Sequence, residues 1–209
     1  DDVDFNIQRL GHWLSYSQGS EFSKKEWENL KIVTVPNFQN KLFVGIKYGV
    51  DGKHVAMSIA TKVDEKIFVE SIDCQSVRNG NTWIISFLKE ADIEKVVIDG
   101  SGSQQILSDE IKDYGIKLKP VLPKVSDVVV ANNMFEQAVT SSKNICHNDQ
   151  PSLKQIVTNC KRRAIGTNGG FGFKAMMEEH EIALLDSVIL AHWACATYKG
   201  VKKKQKISC

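Results

Sequence analysis

One stretch near the C-terminal end constrains this chain more than any other. Glu179 to Tyr198, E-H-E-I-A-L-L-D-S-V-I-L-A-H-W-A-C-A-T-Y, contains no Gly or Pro and is long enough for about five helical turns. From Ala183 to Ala196 it is apolar nearly all the way round, the pattern of a buried helix rather than a surface one. In its midst sits one carboxylate, Asp186, with Leu190 and Trp193 following at i+4 and i+7 on the same face. An ionised carboxylate in apolar surroundings is costly unless something positive or hydrogen-bonding meets it. Either Asp186 has a buried partner or it holds a metal ion.

The rest of the chain alternates in a way that could bring such a partner. L-F-V-G-I-K-Y-G-V, then D-G, then K-H-V-A-M-S-I-A-T reads as two strands joined by a two-residue turn at Asp51-Gly52. Lys66 to Asp73 is a third strand, with Ile67, Val69 and Ser71 on one side and Phe68, Glu70 and Ile72 on the other. Then come a helix over Asn81 to Glu90 and the apolar strand Lys95 to Asp99, expected to be central. An amphipathic helix from Ser103 to Tyr114 ends at Gly115, and a strand from Ile116 to Val121 follows. Helices are expected over Ser126 to Ser141, with Ser126 as N-cap, and over Pro151 to Arg162. Ile165 to Phe173 is a glycine-rich hairpin or flexible loop. Antiparallel hairpins followed by β-α-β-α predict an α/β fold with a mixed central sheet and helices on both faces.

Residues 1–37 read as a separate N-terminal segment of short helical patterns, ending at Pro36. Trp13 and Trp27 are expected to pack either onto another domain or onto this domain's own flank. Residues 38–199 would form the main domain and 200–209 a basic tail. The first residues lack a signal-peptide pattern, and an Asp start suggests a fragment or processed product. No apolar run reaches membrane-spanning length. Five cysteines without zinc-type spacing suggest reduced thiols, with Cys195 as core packing. A net charge of +2 is too small to argue for nucleic acid. Its distribution is more telling: Lys161, Arg162 and Arg163 are consecutive, and five lysines crowd residues 199–206. Solvated surface and phosphate contact both explain such clusters.

Asp99 ends an apolar strand and is followed by Gly100-Ser-Gly102, at the strand end where open α/β sheets bind ligands. Asp99 and Asp186 could meet there. Converging carboxylates repel unless divalent cations lie between them, and Mg²⁺ or Mn²⁺ suits an all-oxygen site. A pair of ions about 4 Å apart would clamp the attacking and leaving oxygens of a phosphodiester displacement. The plainer reading has Asp99 capping the next helix and Asp186 paired with a lysine. G-S-G-S-Q-Q lacks the glycine and lysine spacing of a nucleotide loop, so the chain by itself is not expected to hydrolyse ATP.

The order of three antiparallel strands, helix, acid-ended strand, helix, strand and late acid-bearing helix resembles the ribonuclease H-like superfamily. More narrowly, the stretches V-G-I-K-Y-G-V-D-G, V-V-I-D-G, N-N-M-F-E-Q-A-V, I-C-H-N-D-Q-P-S-L, K-R-R-A-I-G-T-N-G-G-F-G-F and L-L-D-S-V-I-L-A-H-W-A resemble the nuclease domain of tailed-phage large terminase subunits, over about residues 40–198. The resemblance implies a Mg²⁺- or Mn²⁺-dependent endonuclease cutting concatemeric double-stranded phage DNA during packaging in the host bacterial cytoplasm. It also implies an upstream ATPase domain joined through residues 1–37, and the small terminase subunit and portal protein as partners. Asp99 and Asp186 would be metal ligands. The family's first acid falls at Lys47 here, which could contact the scissile phosphate or pair with either acid. Asp51, ~13 Å further along an ideal strand, is either a turn residue or the third ligand. Lys161, Arg162, Arg163 and Lys174 would form a DNA clamp. A non-cleaving DNA- or portal-binding module and another ribonuclease H-like nuclease, such as a resolvase, are the alternatives. Glu178, Glu179, His180 and Glu181 suit a helix N-terminus or a supplementary metal role. His147 reads as a loop or cap residue and His192 as packing.

Overall fold

The computed structural model describes residues 19–34, 40–166, 169–177 and 180–199. Strands β1 (Leu42–Tyr48), β2 (His54–Val63), β3 (Lys66–Ser76), β4 (Ile93–Asp99) and β5 (Ile145–Cys146) form one sheet in the order β4-β1-β2-β3-β5. β1–β2 and β2–β3 are antiparallel, whereas β1–β4 and β3–β5 are parallel. The predicted mixed sheet with helices on both faces is therefore what the chain forms.

Alternation along the strands divides the sheet into two apolar faces. Val44, Ile46, Val55, Met57, Val96 and Ile98 pack with Ile84, Ile85 and Leu88 of α2 (Thr82–Glu90) and with Leu107 and Ile111 of α3 (Ser103–Asp113). On the other face Phe43, Ala56, Ala60, Val69 and Val97 meet α4 (Val125–Thr140), α5 (Pro151–Val157) and α6 (Ala183–Ala196). Gly45 lies in that second face and lets α6 settle onto the backbone of β1. A Cβ at Gly45 would stand 2.1 Å from the Ser187 carbonyl oxygen and 2.5 Å from the Ala191 nitrogen. A second tie sets the helix register. The Ser187 hydroxyl donates to Leu184 O at 2.8 Å, so the Ser58 hydroxyl, 2.6 Å away, donates to Ser187.

The short helix α1 (Lys24–Glu28) packs on the domain's own flank. Trp27 is fully buried, as is Phe22, and both join the core with Leu30. Trp27 stacks on His147 with ring centroids 3.9 Å apart. Nδ1 of His147 accepts from the Asp149 N–H at 3.0 Å, so Nε2–H donates to Trp27 O at 2.9 Å. His147 is thus a buried clasp that holds α1. Trp13, Pro36, Glu178, Glu179 and the C-terminal lysines after residue 199 lie outside the described residues.

Several boundaries differ from the expectation. β4 is not central: among the described residues a single bridge, Val97 to Val121, lies beyond it, and that is all that forms of the expected Ile116–Val121 strand. Its apolar sequence reflects helices on both faces rather than strands on both sides, and Pro120 and Pro123 bracket the bridge with residues that cannot donate to a ladder. The turn at Asp51-Gly52 is a five-residue loop, 49–53, closed by Gly49 N–H to His54 O at 2.8 Å and Gly52 N–H to Gly49 O at 3.0 Å. Ser126 is not the cap of α4. Lys124 holds that position, and its N–H donates to the Asp127 carboxylate at 2.9 Å. The Pro151–Arg162 helix stops at Val157, where Thr158 and Asn159 side chains donate back to Lys154 O and Gln155 O. Lys161–Arg163 then belong to β6 (Cys160–Ile165), which pairs with β7 (Gly170–Ala175) as the glycine-rich hairpin. The last helix begins at Ala183, not Glu179.

Candidate active site

Lys47 and Asp99 are register partners at the ends of the parallel strands β1 and β4. Lys47 also faces Ala56 on β2, which faces Cys74 on β3. Register partners share a face, and Ala56 belongs to the core under α6. A register shift after Met57 gives β3 an extra residue, Ile72. The odd-numbered side chains Ile67, Val69 and Ser71 hold the α6 face before the bulge, and Cys74 takes it up afterwards. Asp99 and Asp186 therefore lie on the same side of the sheet, not on opposite faces.

Lys47, Asp99, Asn132, Arg163 and Asp186 line one pocket of about 20 Å³, walled by Val128, Ile165, Ile189 and Leu190. That is room for about one water molecule or one bare ion. The Lys47 ammonium makes an ion pair with one oxygen of Asp99. Arg163 donates from Nε to Phe173 O at 3.0 Å, which turns its guanidinium in toward the pocket. Burial pushes the Asp186 carboxyl up to about 6. Lys47 and Arg163 pull it down in part, while Asp99 and Glu181 add repulsion. Its place in the first turn of α6 favours an anion, yet no donor among the described residues hydrogen-bonds its carboxyl group. Asn132, 2 % exposed, donates from Nδ2 to Val128 O at 2.7 Å, and its Oδ1 has no hydrogen-bond partner among the described residues. The pocket thus holds oxygens of two acids and an amide, of which only one Asp99 oxygen is met by a hydrogen-bond donor among the described residues, and such oxygens suit a hard divalent cation.

Asp51 does not line this pocket. It stands in the 49–53 loop, accepts from Lys53 N–H at 2.9 Å, and shares a second group with His54 and Glu181. Ligand atoms of those three lie within 4.8 Å of one another. His54 Nδ1 is 2.7 Å from Glu181 Oε2 without the alignment of a hydrogen bond. Gly49 makes room for the group, since a Cβ there would be 2.9 Å from the Asp51 Oδ1. Two carboxylates and an imidazole form a donor set suited to Mn²⁺, Co²⁺ or Zn²⁺. Glu181 links the two groups, because its charge also acts on Asp186.

The four basic residues expected to grip DNA have divided duties. Lys161 and Lys174 are cross-strand partners, both exposed. Arg162 is engaged at home: it pairs with Glu136 and, at 2.9 Å, with Glu21, and lies 4.2 Å over the Phe171 ring. Arg163 belongs to the acidic pocket. His180 bonds to Gln155 at 2.9 Å, and His192 is buried edge-on to Phe135, with its imidazole pushed down to about 4 by burial. Asn132 and Glu181 were the residues sequence reasoning undervalued. Asn132 carried the same signal as Asp186: a polar side chain in a buried stripe, Val128, Asn132, Phe135, Val139, at helical spacing.

Three-dimensional comparison supplies the context. The chain superposes on the HK97 bacteriophage large terminase with a TM-score of 0.63 and 14% identity, covering 83% of this chain and 43% of that one. It also superposes on the large terminase nuclease from thermophilic phage G20c with bound magnesium, with a TM-score of 0.59 and 14% identity over 84% of this chain and 97% of that one. This is the large-terminase nuclease fold. The same G20c nuclease solved with bound cobalt matches with a TM-score of 0.56 and 12% identity, over 84% of this chain and 97% of that one. No family model matches the sequence, and no curated protein matches it. The chain spans less than half the length of the HK97 terminase but nearly all of the separate G20c nuclease. No described helix is long and apolar enough to cross a membrane.

Proposed function

We propose that this chain is the nuclease portion of a tailed-phage large terminase, a divalent-metal-dependent endonuclease that cuts double-stranded DNA during packaging. The observation that carries the proposal is the convergence of Asp99 and Asp186 on one pocket, with Asp186 half-buried and its carboxyl without a hydrogen-bond donor among the described residues. A bound Mg²⁺ or Mn²⁺ would polarise the phosphodiester and lower the pKa of an attacking water. Asp99 and Asp186 would hold that ion, and Arg163 would balance their charge. Lys47 would exchange its hold on Asp99 for the scissile phosphate. Lys161 and Lys174 would grip the backbone without reading bases, which makes low sequence specificity the expectation. A pocket of about 20 Å³ suits one ion, so a second would have to use Asp51, His54 and Glu181.

On this reading residues 1–37, whose Phe22, Trp27 and Leu30 pack into the nuclease core, connect to an upstream ATPase domain, residues 38–199 form the rest of the nuclease and 200–209 a basic tail. The small terminase subunit and portal protein would be partners in the host cytoplasm. A second reading is favoured by one observation, the Lys47–Asp99 ion pair: the domain would hold DNA or the portal without cutting. Nicking of supercoiled plasmid in Mn²⁺ separates the two. The nuclease reading requires cleavage that chelator abolishes and that Asp186→Asn and Asp99→Asn each reduce at least ~100-fold, as expected for removal of groups acting on the transition state. Absence of cleavage by the pure protein, with DNA retention unchanged in Asp99→Asn, would establish the binding module instead.

A further inference from the structure

We infer that Asn132 is a third oxygen donor of the Asp99–Asp186 cation site. The inference rests on the cation reading of that pocket and adds a ligand from a different element. A buried carbonyl oxygen without a donor is destabilising unless something else meets it. Asn132 Oδ1 is such an atom, and the amide cannot be turned over to relieve it, because Nδ2 already donates to Val128 O at 2.7 Å. Neither cation of the pocket donates to Oδ1. The Lys47 ammonium is held by Asp99, and Arg163 Nε donates to Phe173 O. Asn132 lines the same small pocket as both acids. Gly172 lies close by, since a Cβ there would be 3.5 Å from Asn132 Nδ2.

The electrostatics explain why an amide stands there. Lys47 makes β1's contribution to the site a positive charge. A further carboxylate from α4 would raise the Asp186 carboxyl still more, because Asp99 and Glu181 already push it up. An amide oxygen is a hard ligand that carries no charge, a type common around divalent cations. It adds coordination to the ion without adding repulsion between ligands in the ion's absence.

Mn²⁺ binding to the 209-residue chain, read by titration calorimetry and by loss of the free-ion electron paramagnetic resonance signal, provides the test. Asn132→Leu keeps the shape and removes the oxygen, and should weaken Mn²⁺ at least tenfold while raising stability in chelator. Asn132→Asp keeps an oxygen in place and should bind Mn²⁺ at least as tightly as the native chain. Unchanged affinity in Asn132→Leu would overturn the inference and leave the Asp99–Asp186 reading standing. Equal loss in both variants, each folded by circular dichroism, would mark Asn132 as packing only and also overturn it. A native chain that binds Mn²⁺ no better than Asp186→Asn would remove the inference and the cation reading together. One measurement needs no variant: Mn²⁺ titrated into ¹⁵N-labelled native chain should broaden the Asn132 side-chain amide signal among the first. If that signal stays sharp while the site fills, Asn132 is not a ligand.

Discussion

Replacing Asp186 by Asn should change stability in opposite directions at the two ends of the pH range. The carboxyl stands at about 6 against an ordinary 3.8 because burial penalises its charge more than Lys47 and Arg163 repay. A rise of that size corresponds to ~3 kcal/mol. Between about pH 4 and 6 the native chain holds this proton more tightly than the unfolded chain does, so stability falls as pH rises through that window and stays low above it. Asn cannot titrate, but its amide needs partners and costs ~1–2 kcal/mol where none is offered. Asp186→Asn should therefore be ~1 kcal/mol less stable than the native chain near pH 4 and ~2 kcal/mol more stable near pH 8. His192 titrates across a neighbouring range with the opposite sign, so neither protein alone is informative; the difference between them is. Urea denaturation of both, in chelator, measures it. An identical difference at the two pH values would mean that Asp186 has an ordinary carboxylate's environment, and the case for a cation there would collapse.

Three further outcomes follow from named contacts. The His192 imidazole is pushed down to about 4 by burial, so as pH falls from about 6.5 to 4 the unfolded chain takes the proton first and the native state loses ~3 kcal/mol; His192→Leu should remove that loss from a pH series of urea midpoints. Gly45→Ala drives a methyl into the Ser187 carbonyl and Ala191 amide, and should cost about 3 kcal/mol; a loss under ~1 kcal/mol would contradict the close contact of β1 with α6. Lys47→Asp breaks the pair with Asp99 and adds a carboxylate, so the apo protein should lose stability while Mn²⁺ affinity rises at least tenfold. Unchanged affinity would show that the ammonium does not stand in an ion's place.

The parts of this fold that were legible in the sequence are those where periodicity and burial agree. Three strands, the nearly all-apolar helix and the acid at the end of β4 could each be read without neighbours, and Asp186 was conspicuous because it was the one carboxylate in an apolar stretch. What could not be read depended on partners distant in the chain. β4 sits outside β1 rather than within the sheet, because two covering helices make a strand as apolar as two flanking strands would. Lys161–Arg163 look helical until Gly172–Lys174 arrive to pair with them. Glu181 looked like an ordinary helix-start acid; only the 49–53 loop, folding back over Gly49, brings Asp51 and His54 to it. Asn132 shows that the reasoning applied to Asp186 extends to neutral groups, since an amide in an apolar stripe is also a question about its partner.

The most direct examination of the shared-cation idea is the anomalous scattering of manganese from crystals of the native chain soaked in Mn²⁺. A peak within ligand distance, ~2.0–2.6 Å for oxygen donors of such ions, of both Asp99 and Asp186 carboxylates is the expected result, with Lys47 Nζ displaced from Asp99. Lys47 still bound to Asp99, and no peak in that pocket at saturating Mn²⁺, would contradict it.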